Sequence, residues 1–430
     1  MKLKLFNGFG LHTAVCICFI GICNFIPGPA SAQSAKFPFP NHTVYTAGSI
    51  KPDTNSQADM DSAVAKFYFQ WKKHYIRYTH DKRSAYVYVN ADGLWRGGNK
   101  ARNTVSLSEG HGYGMMIMTI MAGYDPEAHG IFDKMLVYFK NHPSNINPHL
   151  MAWDQTKDSI INEHNSDDAT DGDLDIAYAL LMADKQWGST GKYNYAQEAK
   201  GIINALKETN VNPETHLMIM GDFTEKGEPY YNDTRTSDFI PGHFKAFAKA
   251  TGDSSWDKAL KSGFRLLAFM QLKYSPLSGL FPDFIRDCNK IPKPANPFFM
   301  ENIRDGDYSY NACRIPWRLA SDYLLTGDKR DKALLYPINL WLKNETKNDI
   351  GRIRDGYKLT GRYVSGASGD NIVFIATFGT GLMIDTDHKV LLNKIWDYAV
   401  HEPLSDEEYY GNTVKLLCMM VMSGNWWGAE

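Results

Sequence analysis

The sequence has few cysteines for its length, and they form no recognisable binding or cross-linking pattern. Six occur in 430 residues, with no CxxC pair and no spacing typical of a zinc site. Three of them fall in an N-terminal segment that we expect to be removed, which leaves Cys288, Cys313 and Cys418. This count excludes a disulfide-held scaffold, although it allows either one disulfide or three free thiols.

Long apolar runs and an excess of one charge are also missing. After residue 32 no segment approaches 18 uninterrupted apolar residues, so no membrane-spanning helix is predicted there. The formal charge of −2 becomes about −4 when Lys2 and Lys4 leave with residues 1–32, and a mildly acidic chain does not favour nucleic acid as a partner. We therefore expect a protein that binds neither nucleic acid nor, after processing, a membrane.

The N-terminus has the layout of a secretory signal peptide. A short basic start precedes an apolar stretch of about residues 14–26, and the small residues Ala30 and Ala32 suit a signal-peptidase site. We expect cleavage after Ala32 and a secreted, extracellular protein. Residues 33–55 contain prolines and few periodic apolar positions, which predicts an extended N-terminal leader.

Helical periodicity dominates the rest of the chain, and a small hairpin is predicted near "SAYVYVNADG", residues 84–93. Helices that are apolar all round alternate with one-sided ones, as buried and solvent-facing helices do. Residues 56–430 therefore predict a single all-α domain, an (α/α)6 barrel of six inner and six outer helices, with an open α-solenoid as the alternative. The predicted helices cover residues 57–78, 108–122, 127–141, 173–186, 195–208, 237–251, 257–273, 311–325, 331–344, 370–381, 388–401 and 412–423.

The aromatic residues and the long connections suggest where ligands bind. Aromatics make up 13% of the chain, which suits either a large core or a carbohydrate cleft. Residues 142–170 and 275–310 contain little helix, and long loops in a compact domain are usually functional. Five tryptophans are predicted to be structural, three in the core and two closing the barrel: Trp256, Trp341, Trp396, Trp426 and Trp427.

Three motifs carry candidate reactive groups. In "LSEGHGYGM", Glu109 opens a buried helix, where burial would raise its pKa and suit a general acid; a helix-capping role is the alternative. In "ATDGDLDIAYALLMADKQW", Asp171 and Asp175 share a helical face. Helix capping by Thr170 or Asp171 would explain one or two of the three aspartates in this motif, but not all three. At least one of these carboxylates is therefore expected to face a cavity or a cation.

The third motif, "YNACRIPWRL", places Arg314 and Arg318 on one helical face, and at least one of them is expected to pair with an acid. The preceding loop supplies Glu301, Asp305 and Asp307 as candidates for a general base. Two carboxyl groups in different environments beside an aromatic cleft are what glycoside hydrolysis requires. Serine-hydrolase and zinc-protease signatures (GxSxG, HExxH) do not occur.

These motifs, with the closing "GNWW", resemble glycoside hydrolase family 8, an inverting endo-glycanase family built on an (α/α)6 barrel. The resemblance implies that Glu109 is the general acid and that Asp171 contacts sugar and water. Many members have a base aspartate where this chain has Asn311, which cannot act as a base. The chain thus resembles the branch that takes its base from an inserted loop, and Glu301 aligns best with that glutamate. His111 replaces a common glutamine, for which an effect on a sugar subsite is expected.

The same branch implies the substrate. Chitosan is the first choice, with mixed-linkage β-glucan or cellulose as the alternative and an inactive glycan-binding barrel as the non-enzymatic one. A monomer without cofactor or metal is expected. Tyr113 and Trp153 are predicted to stack on sugar rings, and Arg235 and Asp238 either line the cleft or form a structural pair. The predicted substrate-binding residues are Tyr113, Trp153, Arg235, Asp238, Asn311 and Arg314.

Overall fold

Twelve α-helices form the framework of the described residues, which in this computed structural model are 34–91, 104–156 and 166–429. The predicted signal peptide and the far end of the predicted hairpin lie outside them. Residues from Ala35 onward form one compact unit. In chain order the helices are α1 Gln57–Tyr75, α2 Ser108–Ile120, α3 Ala128–Asn141, α4 Thr170–Trp187, α5 Tyr195–Thr209, α6 Pro241–Thr251, α7 Ser255–Tyr274, α8 Ile315–Thr326, α9 Lys329–Thr346, α10 Ile372–Leu382, α11 Lys389–His401 and α12 Tyr409–Met422.

The helices alternate between an inner and an outer ring, as the sequence predicted. Every residue of α10 and α12 is buried, whereas α5 and α11 bury one face only. A helix without a polar face cannot meet water, so these sequences determine which helices lie inside. Each inner helix packs against its outer neighbour, in the pairs α12–α1, α2–α3, α4–α5, α6–α7, α8–α9 and α10–α11.

The inner ring closes on itself. Contacts run from α2 through α4, α6, α8 and α10 to α12, and α12 packs back against α2. An open solenoid would leave its first and last helices apart, so that alternative is wrong. The fold is therefore the predicted (α/α)6 barrel.

Helices α4, α6 and α8 are among those whose starts differ from the prediction. Helix α4 begins at Thr170 rather than 173, and its N-cap residue Ala169 makes no side-chain capping bond. The segment before α6 is a 3-10 turn, Thr236–Asp238, and α6 starts at Pro241, a residue suited to the first helical turn. A second 3-10 turn, Ala312–Arg314, precedes α8.

Short strands organise the loops at one end of the barrel. The predicted hairpin strand is β2, Ala85–Val87, but its partner is the preceding β1, Ile76–Tyr78. Two further sheets connect the loops, and they were not predicted because two- to four-residue strands show little alternation. They are the pair β3 Thr104–Leu107 with β4 Asp154–Thr156, and the sheet β5 Thr234–Arg235, β6 Phe284–Arg286 and β7 Lys293–Pro294.

Residues 34–55 contain no helix or strand, and they cross the end of the barrel where the inner helices terminate. Their backbone N–H groups donate to carbonyls at those ends, for example from Phe39 to Ala122 at 2.9 Å and from Ile50 to Met383 at 2.8 Å. Phe37 stacks on Trp427 with ring centroids 5.0 Å apart. This segment thereby satisfies carbonyl groups that a helix leaves unpaired at its C-terminus.

The tryptophans that were predicted to be structural are all buried: Trp256, Trp341, Trp396, Trp426 and Trp427. Cys288, Cys313 and Cys418 are free thiols, and the last two are buried. Among the described residues, none of the helices combines the length and apolarity that crossing a bilayer would require.

Candidate active site

The N-terminal ends of the inner helices bring the predicted site residues together at the end of the barrel opposite residues 34–55. Glu109 lies in the first turn of α2, Asp171 in that of α4, and Tyr409 starts α12. Arg235 precedes α6, and Arg314 directly precedes α8. The partial positive charge at helix N-termini favours carboxylates in this position.

Each of the three aspartates at the start of α4 has its own partner. Asp171 pairs with Arg314 and Arg235, at 2.6 and 2.9 Å. Asp175 forms a two-point ion pair with Arg318. Asp173 accepts the Met151 backbone N–H at 2.9 Å. None of the three caps the helix through its side chain. At least one carboxylate was expected to face a cavity or a cation, and both Asp171 and Asp175 pair with arginines.

Arg314 is the centre of a buried network. Its Nη1 donates to Glu109 Oε2 and to Asp171 Oδ2, both at 2.6 Å. Its Nη2 donates to Ser237 Oγ at 2.7 Å and to Asn311 Oδ1 at 2.8 Å. A planar guanidinium with five donors can serve four groups at fixed angles, which a lysine cannot. Arg314 is 1% exposed, so the prediction that it binds substrate directly is wrong: it positions the groups that line the cleft.

Glu109 has the environment of a general acid. Its side chain is 19% exposed, and Tyr409 donates to Oε1 at 3.2 Å while Arg314 occupies Oε2. Burial raises the pKa of Glu109 to about 7, and the Asp171 charge adds to that effect while Arg314 opposes it. The carboxyl group is therefore partly protonated near neutral pH. The capping alternative is wrong, since no side chain caps α2.

The glycines beside Glu109 allow helices α2 and α4 to approach each other closely. A Cβ on Gly112 would lie 2.6 Å from Asp175 Cβ, and one on Gly172 would lie 2.3 Å from Ser108 Oγ. Neither gap could hold a side chain without moving a helix. The close contact fixes Glu109, one residue after Ser108, relative to Asp171, one residue before Gly172.

Glu301 lies in a tightly bonded loop. The Asp305 carboxylate accepts the backbone N–H groups of Met300, Glu301 and Asn302, at 2.7 to 3.0 Å. Glu301 Oε2 accepts Asn311 Nδ2 at 3.0 Å, which connects it through Asn311 and Arg314 to Glu109.

The environment of the Glu301 carboxyl differs from that of a fully buried acid. Glu301 is exposed at the surface, yet the surrounding protein displaces part of the water around its carboxyl group. This loss of water raises the pKa of Glu301, whereas Arg235 and the hydrogen bond from Asn311 act to lower it. The other two acids of this loop are occupied. Asp305 is fully buried in the loop bonds, and Asp307 pairs with Lys358 at 2.6 Å. Of these three acids, Glu301 is the one available to a solvent molecule.

Two residues of the network were missed by the sequence analysis. Tyr409 lies 300 positions from the carboxylate it contacts, and "EEYYGN" carries no recognisable motif. Asp283 lies beneath the turn that carries Asn311, where it accepts the backbone N–H groups of Ser309 and Ala312 at 3.0 and 2.7 Å. Burial raises the pKa of Asp283 to about 8. The feature of the sequence that could have identified Asp283 was its position in the long loop 275–310, which was expected to be functional.

Several predicted substrate contacts are not supported by the structure. Tyr113 is fully buried against Trp317, with its hydroxyl bonded to Arg314, so its ring cannot stack on a sugar. Asp238 is also fully buried and pairs with Arg235 at 2.9 Å. Asp238 therefore belongs to a structural pair, which was the alternative to a position lining the cleft. His111 is buried and bonds the Met135 carbonyl, so it does not contact a sugar directly.

Three predicted residues remain at the cleft. Arg235 and Trp153 are partly exposed, and Asn311 is 6% exposed and holds Glu301. The Trp153 carbonyl accepts the Ser108 N–H at 3.0 Å, which places this tryptophan beside the start of α2 and Glu109. These residues form the walls nearest to the two glutamates.

Comparison with known proteins agrees with this geometry. Residues 38–424 match the family described as glycosyl hydrolases family 8. The chain is 41% identical to a β-glucanase of Niallia circulans, with 98% of each chain aligned. It is 36% identical to an endoglucanase of Bacillus sp. strain KSM-330, over 98% of this chain and 87% of that one. A solved β-1,3-1,4-glucanase from Paenibacillus sp. X4 superimposes with a TM-score of 0.85 at 40% identity, covering 92% of this chain and all of the other.

Proposed function

Because the chain belongs to glycosyl hydrolases family 8 and is a glycoside hydrolase, we propose that it cleaves internal bonds of a neutral β-glucan, with mixed-linkage β-1,3-1,4-glucan as the preferred substrate. The observation that carries this proposal is the identity of 40 to 41% to two proteins that are both named as glucanases. The relatives therefore favour the alternative of the sequence analysis over its first choice, chitosan.

The charges near the cleft support a neutral polymer. Chitosan is a polycation, and its binding would use free carboxylates. Apart from the proposed base Glu301, three acids that could have supplied them are engaged within the protein: Asp305 by backbone N–H groups, Asp307 by Lys358, and Asp233 by the Asp287 N–H at 2.8 Å. All three are less than 10% exposed. Neutral glucose rings can instead be bound by aromatic stacking and hydrogen bonds.

The proposed mechanism is a single displacement with inversion. Glu109, in the protonated form that its raised pKa keeps partly populated near neutral pH, donates its proton to the glycosidic oxygen as the bond to the anomeric carbon breaks. Glu301 removes a proton from a water molecule that attacks the opposite face of the sugar. Such a reaction needs about 6.5–9.5 Å between the two carboxyl groups, which leaves room for that water. Asp171, buried between two arginines, keeps them in place and offsets part of their positive charge beneath the sugar.

Asp171 and Glu109 have divided roles because their environments differ. The two arginines lower the pKa of Asp171 to about 2, so it stays ionised, whereas Glu109 is poised near 7. Enzymes commonly hold two neighbouring carboxyl groups at different pKa values, so that one is protonated and acts as the acid while the other stays ionised. We further propose that Asp171 contacts the sugar or the attacking water directly, as the family resemblance implies.

The non-enzymatic alternative rests on Asn311, which replaces the aspartate base of many family members. Glu301 weakens that alternative, because its carboxyl group is hydrogen-bonded to Asn311 and faces solvent. A base on a neighbouring loop can occupy the same region as the missing one. Release of reducing ends by the purified protein separates an enzyme from a binding protein.

The test of function is a substrate panel. Reducing-end release should be fastest on barley β-glucan or lichenan, slower on carboxymethylcellulose and slowest on chitosan. Proton NMR during the first minutes should show the α-anomer at the new reducing end, as inversion requires. Preferential cleavage of chitosan would overturn the substrate assignment, and an initial β-anomer would overturn the mechanism.

We also propose that the mature protein is secreted and acts as a monomer outside the cell, after cleavage following Ala32. The support is the layout of residues 1–32. N-terminal sequencing of protein from the culture medium, and its elution volume in gel filtration, would test both parts.

A further inference from the structure

Three aspartates converge where helix α8 passes into helix α9, at the end of the barrel opposite the two glutamates. Asp322 lies in α8, Asp328 is the N-cap residue of α9, and Asp331 lies in the first turn of α9. One carboxylate oxygen from each lies within 4.8 Å of the others. This spacing matches oxygens that share one calcium ion, because Ca–O bonds of about 2.3–2.6 Å place opposite ligands about 5 Å apart.

Asp331 is the residue that points to a ligand. It is 0% exposed, and no hydrogen-bond donor from the described residues reaches either of its carboxylate oxygens. A buried carboxylate without a donor is strongly unfavourable, so such a group requires a proton or a cation. Its neighbour Asp322 is also buried, with its side chain 0% exposed.

The local charges leave the cluster negative. Lys245 on α6 contacts Asp322 and lies 2.9 Å from Asp328, and Arg330 pairs with Asp328 at 2.7 Å. Two cations therefore face three carboxylates, and neither cation is hydrogen-bonded to Asp331. The Lys245 side chain is 20% exposed, and its flexible stem allows the ammonium to move out into solvent.

We propose that Asp322, Asp328 and Asp331 bind one calcium ion, which displaces the Lys245 ammonium from the cluster. Water molecules complete the coordination sphere, as is common for calcium sites with few protein ligands. The ion joins the C-terminal end of α8 to the start of α9. It lies away from the two glutamates, so its effect is on stability and does not depend on which glycan is hydrolysed.

The first experiment uses the full mature protein after dialysis against a chelator. Calcium chloride should produce saturable heat in isothermal titration calorimetry. It should also raise the Tm by about 3–5 °C at about 100 times the dissociation constant. Magnesium chloride at the same ionic strength should have a smaller effect, because its shorter bonds fit this spacing poorly. No saturable heat and no calcium-specific change in Tm would overturn the proposal.

Two substitutions sharpen the test. Lys245→Gln removes the competing ammonium, so calcium should bind at least about tenfold more tightly. This variant should be less stable than the wild type without calcium and regain its Tm with it. Asp331→Asn should abolish the calcium response. The matched control is Asp257→Asn, which removes an exposed acid from the first turn of another outer helix, α7, and should keep the full response.

The remaining results also decide the question. A calcium response that survives in Asp331→Asn would show that the ion binds elsewhere, and it would overturn the assignment. A Tm that varies with pH but not with calcium, in both the wild type and Lys245→Gln, would show that Asp331 shares a proton with Asp322 instead. That outcome would equally overturn the proposal.

Discussion

One nitrogen of Arg314 contacts both Glu109 and Asp171, at 2.6 Å each. The same guanidinium holds Ser237 and Asn311 through its other nitrogen. The proposed acid, the neighbouring anion and the residue that holds the proposed base therefore share one rigid cation. Motion of Arg314 would disturb all three positions at once.

Arg314→Lys should lower kcat on β-glucan by about 100-fold with a smaller change in KM, because lysine keeps the charge but cannot hold four partners in one plane. Initial rates over a range of substrate concentrations would separate the two constants, with circular dichroism to verify folding. The control is Arg265→Lys on the exposed face of α7, which should behave as the wild type. Equal loss in both variants, or none in either, would contradict the positioning role.

The pH dependence of the reaction should report Glu109. Its pKa is raised to about 7, so the protonated acid is lost as the pH rises through 7 and kcat/KM should fall there. Tyr409→Phe removes a hydrogen bond that favours the ionised form, so the pKa of Glu109 should rise further. The alkaline limb of the profile should then move to higher pH. A limb that stays in place, or moves to lower pH, would show that another group controls it.

The sequence predicted the fold, and the segments that carry the reactive groups, better than it predicted where individual side chains point. Alternation of fully apolar and one-sided helices predicted which helices are buried, because a helix without a polar face cannot meet water. It did not by itself exclude an open solenoid, which the contact between α12 and α2 does. At least one carboxylate at the start of α4 was expected to face a cavity or a cation, and Asp171 and Asp175 both pair with arginines. Tyr113 was wrongly placed in the cleft, because its burial depends on Trp317, 204 positions later. Tyr409 was missed for the same reason, since its contact is set by closure of the ring.

Glu301→Gln should reduce turnover by several orders of magnitude, because the amide cannot accept the proton of the attacking water. Substrate binding should be largely retained, since glutamine can still accept the Asn311 hydrogen bond. Asp307→Asn is the matched control from the same loop: its carboxylate pairs with Lys358, and its loss should change kcat only a few-fold. Reducing-end assays on both variants give the answer. Activity retained in Glu301→Gln and lost in Asp307→Asn would transfer the role of the base to Asp307.

The buried ion pair of Asp175 and Arg318 should be essential for stability rather than for chemistry. Both side chains are almost inaccessible to water, and two nitrogens of Arg318 contact the two oxygens of Asp175 at 2.9 and 2.5 Å. His243 also bonds Asp175 at 2.8 Å while its ring stacks on Tyr178.

Asp175→Asn would leave the guanidinium buried without its counter-charge, and the free energy of unfolding should fall by about 3–5 kcal/mol. Urea unfolding at pH 7 measures this loss, and Asp397→Asn, which removes a 70% exposed carboxylate, should cost less than about 1 kcal/mol. The pKa of Asp175 is lowered in the folded protein, chiefly by Arg318 acting against the effect of burial. Its stabilisation is therefore present above the ordinary aspartate pKa and is lost as the pH falls through the lowered value. The difference in stability between wild type and Asp175→Asn should consequently shrink in acid, and a difference that is constant with pH would contradict the ion-pair origin.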